Sequence, residues 1–235
     1  MMPLYKEPAG NRLLALLPPE EYERILPSLE RTVLEMGQVI YEQSEKSAHI
    51  YFPVTSIVSL IYLMENGSST EVGIAGNEGL VGAALILDSE IMPSRAVVQS
   101  AGIAFRMTAR QMKIELARCN TFRHFLLRYT HALMTQISQT AVCNRFHSLK
   151  QQLVRLLLLN HDRLEKDELI MTHELIANTL GVRRQGVTEA AGRLQSEGLI
   201  SYMRGHITIL KRLGLEKAVC ECYQVVKDEY DRMLN

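Results

Sequence analysis

The spacing of hydrophobic residues changes along the chain, and each change marks a different kind of structure. Residues 11–29 carry apolar side chains at helical spacing on both sides of Pro18-Pro19, which predicts two short helices. Between residues 30 and 107, short runs rich in Val, Ile and Tyr recur between turn residues, which predicts β-strands. From Thr108 onward the helical spacing returns, so the second half of the chain is expected to be mainly helical.

The strand region is expected to form an antiparallel sandwich or barrel. Strands of even length that are joined by hairpin turns favour antiparallel pairing over a parallel sheet. The clearest hairpin lies at Asn66-Gly67, because both residues tolerate positive φ. The predicted strands are TVLEM, QVIYE, HIYFPV, SIVSLIYLM, STEVGIA, SRAVVQSA and GIAFRM.

Two helices are predicted directly after the strands. Thr108 and Gln111 have the spacing of a capping box at the start of the first. The second, the longest of the chain, runs from Asn120 to about Arg145, and its residues recur in the steps of four and three that are typical of a coiled-coil seam. This seam predicts pairing with a second copy of the chain, and the alternative is a helix buried only inside its own domain. The apolar half of the seam is Phe122, Leu126, Tyr129 and Leu133.

The segment His173–Ile209 has the spacing of a helix-turn-helix motif. Ala177 allows two helices to cross closely, and Gly181 takes the left-handed conformation of the turn. Val182 and Val187 then fill the angle between the helices, so that the second helix can lie in a major groove of DNA. Two ordinary core helices around a glycine cap are the alternative, which the arginine-rich second helix makes weaker.

The remaining segments complete an α+β architecture in three parts. The chain breaks at 146–148, before a strongly apolar helix. The run LISYMRGHITIL predicts the two strands of a wing, and the tail 212–235 has helical spacing. We expect a β-roll or barrel at 11–118, a long dimerisation helix with a hinge at 119–146, and a winged helix-turn-helix domain with a C-terminal helix at 147–235. Pairing is favoured because a reader with one short recognition helix gains specificity as a dimer.

The charge of one segment, and not that of the whole chain, supports contact with nucleic acid. The net charge of the chain is zero, but residues 181–212 contain six Lys or Arg and two Glu, a net +4. Such a local excess is expected for phosphate contacts, and a solvated basic face is the alternative. In the second helix Arg184, Gln185 and Glu189 lie outward and suit the edges of guanine, adenine and cytosine. The predicted contacts to the DNA backbone are Arg183, Thr188 and Arg193, with Arg204 and His206 at the wing tip.

Composition places the chain among ordinary globular proteins. Of 235 residues, 47% are hydrophobic and 22% charged. The N-terminus lacks the basic-then-apolar order of a signal peptide, and no apolar run is long enough for a membrane helix. We therefore expect a cytoplasmic protein without a membrane partner.

The cysteines predict neither a disulfide scaffold nor a metal site. Four cysteines are too few and too scattered for such a scaffold. Cys220 and Cys222 are two residues apart on a predicted helix, so they point to different sides and are not expected to hold one ion together. Because a structural metal usually needs four converging ligands, we expect Cys119, Cys143 and this pair to be buried, reduced thiols. Redox or metal sensing is the weaker alternative.

A metal enzyme of the cupin type is the other function that a small barrel suggests. Such chemistry needs histidines and a carboxylate that converge inside the barrel, but only His49 lies in the strand region. The chain also lacks a nucleophile elbow, a Walker loop and a dinucleotide fingerprint. We therefore predict no enzymatic activity, no catalytic residues and no cofactor.

A small barrel, a long helix, a hinge and a winged helix-turn-helix, in that order, resemble the Crp–Fnr family of bacterial transcription regulators. In the strand region the likeness is clearest over GNEGLVGAALIL (76–87) and SRAVVQ (94–99). The resemblance implies a homodimer that binds an inverted-repeat promoter site, contacts RNA polymerase and responds to an effector in the barrel. A dimeric ligand-sensing or scaffold protein whose winged helix binds protein is the alternative function.

The chain departs from the better-known family members at the effector cassette. By resemblance, Glu78 would take a ribose hydroxyl and Arg95 a cyclic phosphate. However, the family's Arg-Ser-Ala reads Ser94-Arg95-Ala96 here, and the loop between the two residues is longer, which disfavours a cyclic nucleotide. The N-terminal cysteine cluster of the iron–sulfur members has no counterpart. The family's Arg-Glu-x-x-x-Arg reading set corresponds to Arg184, Gln185 and Glu189, so a different half-site is expected.

Overall fold

A computed structural model describes residues 7–164 and 166–235 of the protein. Two short helices, α1 (Arg12–Ala15) and α2 (Pro19–Ile25), precede the strands, as predicted. Asn11 caps α1 by accepting a hydrogen bond from the Leu14 backbone N–H, while its amide donates to two carbonyl groups of the strand region. This buried side chain therefore fixes the N-terminal helices on the strands.

The predicted strands form two antiparallel sheets. They are β1 (Glu30–Leu34), β2 (Val39–Tyr41), β3 (His49–Pro53), β4 (Ile57–Leu63), β5 (Ser69–Ala75), β6 (Arg95–Ser100) and β7 (Gly102–Thr108). One sheet has the order β1-β7-β3 and the other the order β2-β6-β4-β5. Gly67 has φ 81° in the turn between β4 and β5, so the predicted hairpin is confirmed. Alternating side chains such as Ile50, Phe52 and Val58 are fully buried between the sheets.

Two helices follow, and the longer one lies against the strand domain. In α3 (Ala109–Arg118) the Thr108 hydroxyl accepts from the Gln111 N–H, but the Gln111 amide donates to Glu115 instead of returning to Thr108. The cap is therefore present and the reciprocal half of the capping box is not. The long helix, α4, spans Asn120–Phe146 as expected.

The predicted dimer seam of α4 faces the protein's own core. Phe122, Leu126 and Tyr129 are 0% exposed and Leu133 is 7% exposed within a single chain. Phe122 packs against a strand phenylalanine, and the Tyr129 hydroxyl donates to the Leu80 carbonyl at 2.7 Å. Side chains covered in this way are not available to a second helix, so the prediction of this seam is wrong. A step of four and three identifies a buried face, but it does not say what covers that face.

The C-terminal half has the predicted winged arrangement. Its elements are α5 (Leu149–His161), β8 (Glu168–Ile170), α6 (His173–Leu180), α7 (Arg184–Ser196), β9 (Ile200–Met203) and β10 (His206–Ile209). Ser148 and Gln151 form a full capping box that starts α5 after the predicted hinge. The strands pair antiparallel in the order β8-β10-β9.

The tail is two helices, not the single helix that its spacing predicts. α8 (Arg212–Ala218) is followed by α9 (Glu221–Leu234), and the residues between them, Val219 and Cys220, are extended. This break turns Cys220 toward the end of α4, and α9 then packs along α4. None of the described helices combines the length and the apolarity that crossing a membrane requires.

Candidate nucleic-acid interface

The turn between α6 and α7 has the geometry that its sequence predicts. Thr172 caps α6, and Gly181 ends it with φ 66° and ψ 35°, a conformation that glycine adopts without strain. The Val182 N–H donates to the Ala177 carbonyl at 3.0 Å. Ala177 and Val187 are 3% and 0% exposed where the helices meet. The short side chains and the left-handed turn therefore hold α7 at a fixed angle.

The outer face of α7 is exposed and carries all its predicted contact residues, which are Arg183, Arg184, Gln185, Thr188, Glu189 and Arg193. The Gln185 amide donates to Glu189 Oε1 at 3.3 Å, so these two side chains present one joint polar edge. The Thr188 hydroxyl lies 3.0 Å from Nδ1 of His173 and donates to the Arg184 carbonyl. Thr188 thus has partners within the protein, whereas the neighbouring arginines extend into solvent.

The wing follows α7 and ends in a tight turn. Arg204 (φ 51°) and Gly205 (φ 86°) form that turn between β9 and β10. His206 is exposed beside it, and its Nδ1 lies 2.9 Å from Glu168. The wing is also attached to α6, because the rings of His173 and Tyr202 stack with centroids 4.0 Å apart. No local sequence pattern predicts this stacking, which depends on how the wing folds onto α6.

Positive charge is concentrated on this surface. Among the described residues, no acidic group lies in salt-bridge range of Arg183, Arg184, Arg193, Arg204 or Lys211. Arg212 is different, because it pairs with Asp162 at 2.6 Å and with Glu216 at 3.0 Å. Its charge is thus balanced by acidic groups of the same chain, so the other basic residues of the segment are the ones available for an external anion.

The two residues of the altered effector cassette do not act together. Glu78 is buried, accepts hydrogen bonds from the Gly76 N–H, and pairs with Arg163 at 2.8 Å. Arg95 instead pairs with Glu42 at 3.1 Å on strand β6. A cavity of about 190 Å³ beside the Glu78–Arg163 pair is lined mainly by α9 and by residues at and just after the end of α5, and Arg95 does not contribute to its wall. The carboxylate that would take a ribose hydroxyl is therefore held by the C-terminal half of the same chain.

Two family models match the chain. A cyclic nucleotide-binding domain matches residues 31–119, and a Crp-like helix-turn-helix domain matches residues 151–218. The chain belongs to the Crp–Fnr family of bacterial transcriptional regulators. The two matched segments correspond to the β-sheets with α3 and to the module that presents α7.

Solved structures of Crp–Fnr proteins share this fold. FixK2 from Bradyrhizobium japonicum has a TM-score of 0.69 at 15% identity, over 82% of this chain and 98% of its own. A Crp/Fnr-family regulator from Eubacterium rectale has a TM-score of 0.67 at 19% identity, over 87% and 96%. CLP from Xanthomonas campestris, described as a c-di-GMP responsive global regulator, has a TM-score of 0.65 at 14% identity, over 81% and 98%. No curated protein matches the chain.

This Crp–Fnr chain also contains a cluster of four potential metal ligands that is not predicted from its sequence. Cys143, His147, Cys220 and Cys222 each direct one ligand atom into a common space, with all four atoms within 4.8 Å of one another. The expectation that Cys220 and Cys222 diverge on one helix is wrong, because Cys220 precedes α9 and is extended. Cys143 and His147 are four residues apart at the end of α4, a spacing that the sequence shows. Only the fold brings them close to Cys220 and Cys222.

Burial has a large effect on the thiols of this cluster. It raises the pKa of Cys143 to about 12 and that of Cys222 to about 11, mainly through desolvation. Cys220 also raises both pKa values, while the positive charge of Arg155 lowers them. By themselves these thiols are therefore protonated at neutral pH. Cys119 lies elsewhere, beside Glu115 and Arg24.

Proposed function

We propose that this Crp–Fnr protein is a sequence-specific transcriptional regulator that binds an inverted-repeat promoter site as a homodimer. The observation that carries the proposal is the exposed face of α7, which presents arginines without acidic partners in the described chain and is held by a helix-turn-helix. Arg184, Gln185 and Glu189 would read bases. Arg183, Thr188, Arg193, Arg204 and His206 would contact the DNA backbone.

The homodimer is supported by the solvent face of α4. Leu127 and Met134 are 47% and 61% exposed, and with Ala141 they recur every seven residues. Ile137, which is 37% exposed, lies one turn beyond Met134 on the same side. An apolar stripe with heptad spacing on the outside of a long helix suits a parallel partner helix across a two-fold axis. A two-fold pair formed there would carry two α7 helices, one for each half of an inverted repeat.

We also propose that an effector bound in the β-roll controls the binding of DNA. A cyclic nucleotide is disfavoured, because Glu78 is engaged by Arg163 and Arg95 by Glu42. The proposed domains remain 11–118, 119–146 and 147–235. A cytoplasmic location, contact with RNA polymerase and the lack of enzymatic activity are expected from the family.

Base reading is tested by an Arg184→Ala variant in a gel-shift titration at fixed salt. Loss of a bidentate contact to guanine should weaken binding to the preferred site by about 1–3 kcal/mol, or about 5–150-fold, and relax the choice of base there. Binding to random duplex should change much less. Arg118→Ala, which removes an exposed arginine at the end of α3, is the matched control and should leave both affinities unchanged.

Equal loss on preferred and random DNA would instead make Arg184 a phosphate contact. If the wild-type protein binds neither duplex at low salt, the alternative function, a winged helix that binds protein, would replace the proposal.

A further inference from the structure

The cluster at the end of α4 has the donor set of a structural metal site. Three thiols and one imidazole come from two places in the chain, the C-terminal turn of α4 and the start of α9. All four side chains are buried or half-buried, with Cys143 0% and Cys222 1% exposed. Three cysteines with one histidine are a ligand set that zinc takes in structural sites.

We propose that Cys143, His147, Cys220 and Cys222 bind one Zn²⁺ ion that fastens α9 to the hinge end of α4. Zn–S bonds of about 2.3 Å and Zn–N bonds of about 2.0 Å at tetrahedral angles place neighbouring ligand atoms about 3.5–3.8 Å apart. The Sγ atoms of Cys143 and Cys220 are 3.6 Å apart, and Sγ of Cys222 is 3.5 Å from Nδ1 of His147. Two edges of the tetrahedron thus already have the length that a single zinc ion requires.

The surroundings of the four ligands are those of a metal site. His147 directs Nδ1 toward the thiols, and its Nε2 lies 3.3 Å from the Glu221 carboxylate, which would fix the tautomer and orientation of the ring. The Gln152 amide donates to the His147 carbonyl at 2.9 Å and so holds the backbone that carries the ligand.

The charge of the ligand set is also balanced. Three thiolates and a neutral imidazole around Zn²⁺ carry one net negative charge. Arg155 lies close to the thiols, is only 7% exposed, and among the described residues its Nε has no hydrogen-bond partner. A buried guanidinium of this kind is costly beside neutral thiols, whereas it is stabilised beside an anionic zinc–thiolate centre.

A mononuclear ion fits better than the two other chemistries that cysteine clusters support. An iron–sulfur cluster holds ligands on different irons farther apart than 4.8 Å, the distance within which all four donor atoms lie here. A disulfide between Cys143 and Cys220 would leave Cys222 and His147 facing each other without a ligand. One bound ion explains why all four donor atoms lie close together, whereas a disulfide would explain the closeness of only two of them.

Such an ion would act as a clamp, because its ligands come from both sides of the hinge region. Two ligands end α4, and two lie at the junction that joins the winged module to α9. Binding would fix that junction and, with it, the position of the winged module relative to α4. The metal content does not depend on DNA binding, so failure of this inference is distinguishable from failure of the proposed function.

Metal analysis of the full-length, reduced protein tests the inference directly. We expect about one zinc per chain in the wild type. Cys143→Ser and Cys222→Ser should lose most of it, while Cys119→Ser, a buried cysteine outside the cluster, should keep it. His147→Cys should retain zinc because it preserves four ligands. Glu221→Ala changes an exposed side chain, so the protein should fold normally but bind zinc about 10–100-fold more weakly.

Cobalt provides a second measurement on the unsubstituted chain. After chelation, added Co²⁺ should give the visible bands of a tetrahedral thiolate complex, and zinc should displace them. Chelation should also speed trypsin cleavage after Lys217, which is exposed beside the α8–α9 junction. The inference is overturned by wild-type protein without zinc that gives no such cobalt bands, by stoichiometric iron with sulfide, by a Cys143–Cys220 disulfide, or by full zinc in Cys143→Ser. Unchanged cleavage would overturn the clamp.

Discussion

The buried Glu78–Arg163 ion pair allows a test of whether the Glu78 carboxylate is held within the chain or is free to bind an effector. Arg163→Met removes the positive charge while keeping an apolar stem of similar length. It leaves the Glu78 carboxylate buried without its partner, at a place where both side chains are at most 5% exposed. Breaking one side of such a pair costs about 3–5 kcal/mol. For a chain of this size that corresponds to a fall in Tm of about 6–20 °C.

A second substitution, Glu78→Gln, should change stability in opposite directions in the wild type and in Arg163→Met. Glu78→Gln alone should destabilise the wild type, but less than Arg163→Met, because Arg163 keeps its hydrogen bond to the Leu159 carbonyl at 2.7 Å and its position over the Tyr230 ring. In the Arg163→Met background the same Glu78→Gln change should raise stability, because it removes an unpaired buried charge.

Urea unfolding of the four proteins, followed by circular dichroism, gives the coupling energy of this cycle. The exposed pair Glu30–Arg106 is the matched control, and its cycle should show a much smaller coupling. If Glu78→Gln lowers stability equally in both backgrounds, the Glu78 carboxylate is not held by an ion pair with Arg163. The carboxylate would then be available to a ligand such as a cyclic nucleotide.

Two further predictions concern pH and assembly. Burial raises the pKa of Glu71 to about 7 from 4.5, so the folded chain holds this proton more tightly than the unfolded chain. The stability it adds is complete below about pH 4.5 and declines by about 3 kcal/mol as the pH rises to about 7. Unfolding of wild type and Glu71→Gln across this range should show that difference, and parallel curves would contradict it. Met134→Asp places a charge on the proposed dimer stripe, so sedimentation should show monomers at concentrations where the wild type and Met36→Asp, its equally exposed control, are dimers. If Met134→Asp is still a dimer, the dimer contact does not lie on this stripe.

Features that depend on neighbouring residues were predictable from the sequence. The Thr108 cap, the left-handed Gly181 and the Asn66-Gly67 hairpin each follow from backbone preferences over a few positions. The order of elements then identified a barrel, a long helix and a winged module. These local rules account for most of the fold and for the exposed face of α7.

Features that depend on how distant segments fold together were not predictable. The spacing of Phe122 and Tyr129 indicated a buried face but not that the chain's own strands cover it. Glu78 and Arg163 are far apart in sequence and meet only because α5 lies against the strand domain. The metal ligands are likewise divided between residues 143–147 and 220–222. The sequence does contain a Cys-x₃-His pair and a Cys-x-Cys pair. The prediction of a continuous tail helix made the second pair look unable to bind one ion, whereas Cys220 is extended before α9.

Selection of preferred sequences from a random DNA pool, with and without cell extract, shows whether the protein binds DNA as a symmetric pair. We expect enrichment of an inverted repeat whose half-site centres are about 34 Å, or one helical turn, apart. The half-site should differ from that of family members with an Arg-Glu-x-x-x-Arg reading set, and Arg184→Ala should relax one of its positions. A single asymmetric site, or no enrichment in either condition, would contradict a paired DNA reader.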